Sequence, residues 1–257
     1  MSDQITVQGV VLSAMPIGEY DKRVVLLTRE RGKISAFAKG ARRLNSPLMA
    51  ASNPFVFGVF TLYEGRTSNS LVSCVITHHF ADLSRHQPEV YYGFYFLEIA
   101  DYFGKEGLED RDTLNLLYVV LKALLRQDID VRLVRCIYEL RMLCEQGLAP
   151  QLNACAVCQR EEAEKWFFSQ EQNGVICIDD LSASQKGSPK GRKTGLTPLS
   201  PLTLAVMRYI AFAPIQKLCA FSVGEETISQ LEDAIYPYTQ KNIDRKMKSL
   251  QFLEIFT

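Results

Sequence analysis

The chain has 257 residues, 47% hydrophobic and 23% charged, with 29 basic and 29 acidic side chains. That length builds one large domain or two modest ones, and the composition is ordinary for a soluble globular protein. No apolar run approaches the roughly 20 residues needed to cross a bilayer. The start, MSDQITVQGVVL, lacks the parts of a secretory signal, so a cytoplasmic location is expected.

Residues 1–80 read as strands. ITVQGVVLSA, RVVLLTRE, KISAFAKG, FVFGVFTLYEG and SLVSCVITHHF are rich in Val, Ile, Phe, Tyr and Thr. Turn chemistry at RERGK, RRLNSP and EGRTSN separates several of them. Five short strands without helices suggest a small sandwich or closed barrel, and the OB-fold is a five-stranded barrel of this kind.

After Asp82 the period becomes helical. PEVYYGFYFLEIADYF opens with Pro88 in a first-turn position. RDTLNLLYVVLKALLRQ sets Leu114, Leu117, Leu121, Leu124 and Leu125 on one face. DVRLVRCIYELRMLCEQG starts at Asp130 as N-cap and ends at Gly147 as C′ residue. Together these predict a three-helix core.

Residues 150–198 break the pattern with clustered cysteines, a hairpin at KWFFSQEQNGVICI and a polar loop, SASQKGSPKGRKTG. Helices resume at SPLTLAVMRYIAF, with Ser200 as N-cap and Pro201 at N1. GEETISQLEDAIYPYTQKNIDRKMKSLQFLEI covers one or two more, Pro237 ending or kinking the first. The expected organisation is α+β: a barrel over 1–80, then a helical domain over 81–257 with a cysteine-bearing insertion at about 150–185.

Three features bear on function. The first is positive charge in the barrel. Residues 1–80 carry nine Lys or Arg against five Asp or Glu, and most of the excess lies between Lys22 and Arg43. Lys22, Arg23, Arg29, Arg31, Lys33, Lys39, Arg42 and Arg43 suit a phosphate backbone, because each neutralised phosphate releases condensed counterions. Gly40 favours close backbone approach. Tyr20, Phe37 and Tyr63 are available to stack on bases. A solvated loop accounts for the charge equally well.

The second feature is CAVC. Cys155 and Cys158 have the two-residue gap that lets adjacent thiolates share one metal, and Cys177 follows across the hairpin. In the zinc pattern C-x2-C-x(15–20)-C-x2-C the fourth ligand falls at Asp180. Two readings stand: zinc held by three thiolates with Asp180 or a water, or a metal-free knuckle packed on Trp166, Phe167 and Phe168. Either is structural, since neither a general base nor a pocket can be assigned. The other cysteines, Cys74, Cys136, Cys144 and Cys219, fall in apolar runs and read as core residues.

The third is YTQKNIDRKMKSLQFL, where Ile243, Met247 and Leu250 face one way at helical spacing and Lys241, Arg245, Lys246 and Lys248 mostly another. A surface helix with a solvated face is the plain reading. The polar loop adds Lys186, Lys190, Arg192 and Lys193. No nucleotide loop, His-Glu-x-x-His or Gly-x-Ser-x-Gly motif occurs, and adjacent Asp179 and Asp180 are weak grounds for acid–base work. An enzyme is disfavoured.

Four stretches in order resemble the bacterial RecO family of recombination mediators. KGARRLNSPL is similar to its basic OB-fold signature, and YELRMLCEQGLAPQLNACAVC to its helix leading into the zinc knuckle. LSPLTLAVMRYI resembles the helix after the knuckle, and YTQKNIDRKMKSLQFL the closing signature. The resemblance implies an N-terminal OB-fold and a helical domain with a zinc-knuckle insertion. It also implies binding of single- and double-stranded DNA and annealing of complementary strands. The implied partners are RecR and the C-terminal tail of the single-stranded-DNA-binding protein, with loading of RecA as the outcome. A nucleoid-associated place in the cytoplasm accords with this. Asp180 departs from relatives with a fourth cysteine, so metal content is not carried over.

The mechanism expected is electrostatic and non-catalytic, with the barrel's cations holding two strands together. An apolar groove rimmed by Lys217, Arg245 and Lys248 would suit an acidic peptide ending in an aromatic residue. Two rivals are a protein-interaction scaffold whose basic segment meets an acidic protein, and a metal-dependent nuclease using Asp179 and Asp180.

Overall fold

The computed structural model describes residues 3–185 and 195–253. The basic loop positions Lys186, Lys190, Arg192 and Lys193 lie outside the described residues. The chain forms two compact units by contact: residues 3–125 with 247–253, and residues 126–246.

The first unit is built on five strands, β1 (Asp3–Ile17), β2 (Asp21–Thr28), β3 (Gly32–Ala38), β4 (Val56–Glu64) and β5 (Asn69–His79). They close in the order β1-β2-β3-β5-β4, and β1 pairs with both β2 and β4. One 15-residue strand serves both neighbours because a register shift between Val11 and Ser13 bends it. The closing pair is short and parallel, Ala36 beside Asn69 and Phe37 beside Ser70. This is an OB-fold barrel. Alternation along β3, Ile34, Ala36 and Ala38 inward, fills its centre with Val11, Val24, Leu26, Phe60 and Leu62.

One turn, α1 (Leu48–Ala51), lies between β3 and β4. Then α2 (Glu89–Phe103) and α3 (Arg111–Leu124) pack on one another and on the barrel. Pro88 stands at the N-cap of α2 rather than inside its first turn. The loop between these helices is tied to the β2–β3 turn: Lys33 N–H donates to the Lys105 carbonyl at 2.9 Å, and Gly107 N–H to that of Arg31 at 2.9 Å. Gly32 makes this approach possible. Its φ is +59°, and a Cβ there would sit 2.1 Å from the Lys105 oxygen.

The second unit holds α4 (Val131–Glu145), α6 (Pro201–Phe212) and α7 (Glu225–Asn242), with α4 packed on α6 and α7. The expected three-helix core therefore divides: its first two helices group with the barrel, its third with later helices. Asp130 caps α4 through Arg132 N–H at 2.8 Å, and Gly147 follows that helix at φ +75°. Ser200 caps α6 through Thr203 N–H at 3.1 Å.

Pro237 does not end α7. A helical proline leaves the carbonyl four residues back without its N–H. Here the Thr197 hydroxyl donates to the Asp233 carbonyl at 3.1 Å, and the helix runs on to Asn242. Beyond it the expected amphipathic helix through Ile243, Met247 and Leu250 is absent, although all three are buried. Among the described residues there, only α8 (Leu250–Leu253) is helical.

The insertion is more than a hairpin. β6 (Trp166–Ser169) and β7 (Gly174–Cys177) pair antiparallel, and β8 (Leu196–Leu199) joins on the other side of β6. α5 (Ile178–Gln185) follows β7 directly and carries Asp180 in its first turn.

Candidate nucleic-acid interface and metal centre

Antiparallel pairing of β2 with β3 lays out the basic residues. Lys22 stands opposite Ala38, Arg23 opposite Phe37 and Leu27 opposite Lys33. Seven residues of β3 extend roughly 20 Å. Along the strand Arg23, Arg31, Lys33, Ser35 and Phe37 line a cleft of about 540 Å³ with the β4–β5 loop, including Arg66 and Asn69. Just past the C-terminal end of β3 come Lys39, Arg42 and Arg43, tied to the β1–β2 turn by Arg42 N–H on the Tyr20 carbonyl. The outer face of strands 2 and 3 and these two loops are where OB-folds take up oligonucleotides.

The cations differ in availability. Lys39 is exposed and has no hydrogen-bond or ion-pair partner among the described residues. Arg42 is exposed and donates to the Gly18 carbonyl at 3.2 Å, while exposed Arg43 lies over the Tyr20 ring, 5.1 Å from its centre. Arg23 is exposed and bonds the Ser35 hydroxyl at 2.9 Å. Arg29 reaches Gln8 at 3.3 Å, and Arg31 faces Glu64 at 3.7 Å. Lys33 is the most engaged, donating to the Asp101 carbonyl at 2.7 Å with that residue's carboxylate 3.5 Å away. Lys22 donates to Asn53 at 2.8 Å, and burial followed by the charge of Arg42 lowers its pKa. The Gly40 N–H is taken by Asp21 at 2.7 Å.

Arg66 was missed from sequence. It is a lone cation in EGRTSN, and only the β4–β5 hairpin carries it to the cleft. Exposed Tyr63 is on β4, and Tyr20 and Phe37 lie within the basic region itself.

The cysteine cluster is the second site. One ligand atom each from Cys155, Cys158, Cys177 and Asp180 lies within 4.8 Å of every other. The CAVC turn is closed by Gln159 N–H on the Cys155 carbonyl at 2.9 Å, with Gln159 at φ +61°. The Cys177 N–H donates to Cys155 Sγ at 3.4 Å. The thiols of Cys155 and Cys177 reach Asp180 Oδ2 at 3.0 and 3.1 Å. Hydrogen bonds from the thiols of Cys158, Cys155 and Cys177 hold the Asp180 carboxyl down at about 2. Burial first, then its hydrogen bonds, pushes the Cys177 thiol up to about 12. The thiols' protons thus rest against one carboxylate, and a divalent cation binds such a set by replacing them.

The geometry fits a tetrahedral ion. Zinc–sulfur bonds of about 2.3 Å separate two sulfurs by about 3.8 Å, and Cys158 Sγ and Cys177 Sγ are 3.8 Å apart. Trp166 and Phe167 pack beside Cys155, Ile176, Cys177 and Leu181 in a small core. Phe168 turns instead to the Tyr238 ring, at 5.4 Å. Asp179 pairs with Arg160 on the surface, so the two adjacent carboxylates have separate partners.

The expected peptide contacts fall in both units. Lys248 lines an apolar groove of the first unit with Tyr91, Phe94, Leu97 and Phe252. Lys217 and Arg245 are exposed residues of the second unit, the Lys217 carbonyl accepting the Tyr209 hydroxyl at 3.0 Å.

Comparison with known proteins places this arrangement. Residues 1–80 match the family model described as "Recombination protein O N terminal", and residues 88–251 the one described as "Recombination protein O C terminal". The chain belongs to the RecO family. It is 30% identical to the DNA repair protein RecO of Bacillus velezensis, over 96% of this chain and 92% of that one. It is 29% identical to that of Bacillus subtilis over the same shares, and 27% to that of Alkaliphilus metalliredigens over 94% of each. Membership of the family supports a role in DNA repair and recombination. No helix among the described residues is long and apolar enough to cross a membrane.

Proposed function

We propose that this protein is a non-enzymatic recombination mediator that binds single- and double-stranded DNA through the barrel. One observation carries the reading: a basic surface runs along β2 and β3 from the Arg23–Arg31–Arg66 cleft to Lys39, Arg42 and Arg43. It offers room for roughly four nucleotides, the lower end of what one OB-fold covers. Cations set along one face hold a phosphate backbone without reading its sequence. Two complementary strands held there repel one another less and meet at higher local concentration, which favours annealing. No step consumes a nucleotide.

The partner set follows the family: RecR, the acidic C-terminal tail of the single-stranded-DNA-binding protein, and RecA as the protein loaded. We assign the tail to the apolar groove that Lys248 lines, with exposed Lys217 and Arg245 as further candidate contacts. The cysteine cluster is assigned zinc, with Asp180 as fourth ligand, and its task is to hold the insertion's fold. The protein's place is the nucleoid.

The test is replacement of Lys39, Arg42 and Arg43 together by Ala. Binding to plain single-stranded DNA should weaken, and the slope of log affinity against log salt should flatten by about two to three. An unchanged slope removes this surface from the interface. Absence of binding by the unaltered protein at low salt would favour the scaffold reading, in which these cations meet an acidic protein.

A further inference from the structure

Leu44 stands on the loop after β3 with 87% of its surface exposed. Single apolar residues on a surface are ordinary, so exposure alone says little. The bracing of this loop is more informative. Arg42 N–H donates to the Tyr20 carbonyl at 2.8 Å, Arg43 N–H to that of Gly40 at 3.0 Å, and Ser46 N–H to that of Arg43 at 3.2 Å. Asp21 holds the Gly40 N–H, and the Arg42 side chain holds the Gly18 carbonyl. Asn45 follows with φ +64°, a left-handed turn that Asn tolerates better than most residues. Leu44 is thus carried uncovered on a loop that is tied to the β1–β2 turn just before it and closed on itself just after it.

Its surroundings are cationic. Lys39, Arg42 and Arg43 precede it on the same loop, and Lys22 lies close enough to Arg42 for that charge to lower its pKa. The acids of the facing turn are Glu19, which raises the Tyr20 pKa, and Asp21, which accepts the Gly40 N–H. Tyr20, 43% exposed, has one side of its ring under Arg43.

We propose that Leu44 is a wedge that enters the base stack where a single strand joins a duplex. The inference rests on the DNA-binding reading above and narrows its substrate. Apolar side chains flanked by cations unstack base steps in this way, the cations gripping the phosphates on either side. Unstacking costs least where a base pair has already lost its neighbour, which is the situation at a junction. Tyr20 gives the first unpaired base an aromatic surface. The preferred DNA is therefore a tailed duplex, in preference to an uninterrupted strand or a blunt duplex.

The experiment uses the full-length protein and three DNAs of equal length: a single strand, a blunt duplex, and a tailed duplex with 2-aminopurine at the junction. The unaltered protein should bind the tailed duplex at least about threefold more tightly than the single strand and, by unstacking the junction base, raise the 2-aminopurine fluorescence about twofold. Leu44→Ser should lose both effects while keeping its single-strand affinity and salt slope. Leu44→Met, which keeps an apolar wedge, should retain them. If the unaltered protein binds single strands but shows no junction preference and no fluorescence rise, the wedge is wrong and the DNA-binding reading survives. A Leu44→Ser protein equal to the unaltered one also overturns the wedge. Failure to bind any of the three DNAs overturns the DNA reading itself. Sedimentation with phosphatidylglycerol vesicles that Leu44→Ser abolishes, without a 2-aminopurine response, would make the loop a membrane contact instead.

Discussion

Glu98 of α2 caps the start of the closing helix through Ser249. Its carboxylate accepts the Ser249 hydroxyl at 2.5 Å and the Ser249 N–H at 2.9 Å, and also the Lys248 N–H at 2.9 Å. The Lys248 N–H and the N–H and hydroxyl of Ser249, just ahead of the helix, converge on one side chain 150 residues from Lys248 in sequence. The Lys-Ser-Leu stretch is therefore anchored by its serine and backbone, and its lysine side chain stays exposed at the groove.

Replacing Glu98 by Ala should detach α8. Hydrogen bonds to a charged group contribute about 1.5–3 kcal/mol, and their loss leaves donors to find water. A fall of about 2 kcal/mol in unfolding free energy is expected, against about 1 kcal/mol for Ser249→Ala, which spares the backbone donors. Urea midpoints of the two variants check this. Equal losses would mean that the hydroxyl alone matters.

The strands of the barrel are legible in sequence because β-branched and aromatic runs alternate with turn residues, and each strand needs only its neighbours' turns to be delimited. Which strands close the barrel is not, since two residue pairs between β3 and β5 decide it. The cysteine quartet is legible for a similar reason: β6 and β7 pair over four residues, so the spacing from Cys158 to Cys177 is close to a distance. Arg66 and Glu98 escape such reading, because both act through tertiary contacts with residues distant in sequence. Pro237 misleads in the other direction. Its helix-breaking tendency is met by Thr197, forty residues before it in the chain, which no local pattern announces.

Acid should weaken the second unit through Arg132. This guanidinium bonds Glu225 at 2.5 and 2.8 Å and Asp130 at 2.9 Å. The hydrogen bonds from Arg132 hold the Glu225 carboxyl below its ordinary range. Burial pushes Asp130 up, and its bonds to Arg132 outweigh that, so it also lies low. Carboxyls depressed in the folded state stabilise it above their unfolded values, about 4, and that contribution is lost as pH falls through the folded values. Half-buried Glu232 shifts the other way through burial, so its protonation offsets part of the loss. Arg132→Met should be less stable at neutral pH and should lose less between about pH 5 and pH 3. Chemical unfolding at those pH values reads this, and parallel acid profiles would contradict it.

Arg66→Ala should weaken binding of single-stranded DNA without altering the fold. Arg66 is exposed on the β4–β5 loop and forms no ion pair among the described residues. One lost phosphate contact lowers the salt slope by about one. Lys33→Ala should change the slope less, since Asp101 already engages that ammonium. Titrations at several salt concentrations separate the two, and an equal change in both slopes would mean that DNA displaces Asp101.

Asp180→Cys should tighten metal binding. A carboxylate is a harder donor than a thiolate, and structural zinc sites are usually completed by cysteine or histidine. The first turn of α5 already brings Oδ2 within 3.1 Å of two sulfurs, so a cysteine there reaches the same centre. Purified protein should carry about one zinc per chain, and the variant should keep it at chelator concentrations that strip the unaltered protein. Cys177→Ser removes a buried ligand and should lose both the metal and the protection of the β6–β7 amides against hydrogen exchange. Less than about one-tenth of a zinc per chain, with exchange protection unchanged by chelator, would instead mean that Trp166 and Phe167 packing holds the insertion without a metal.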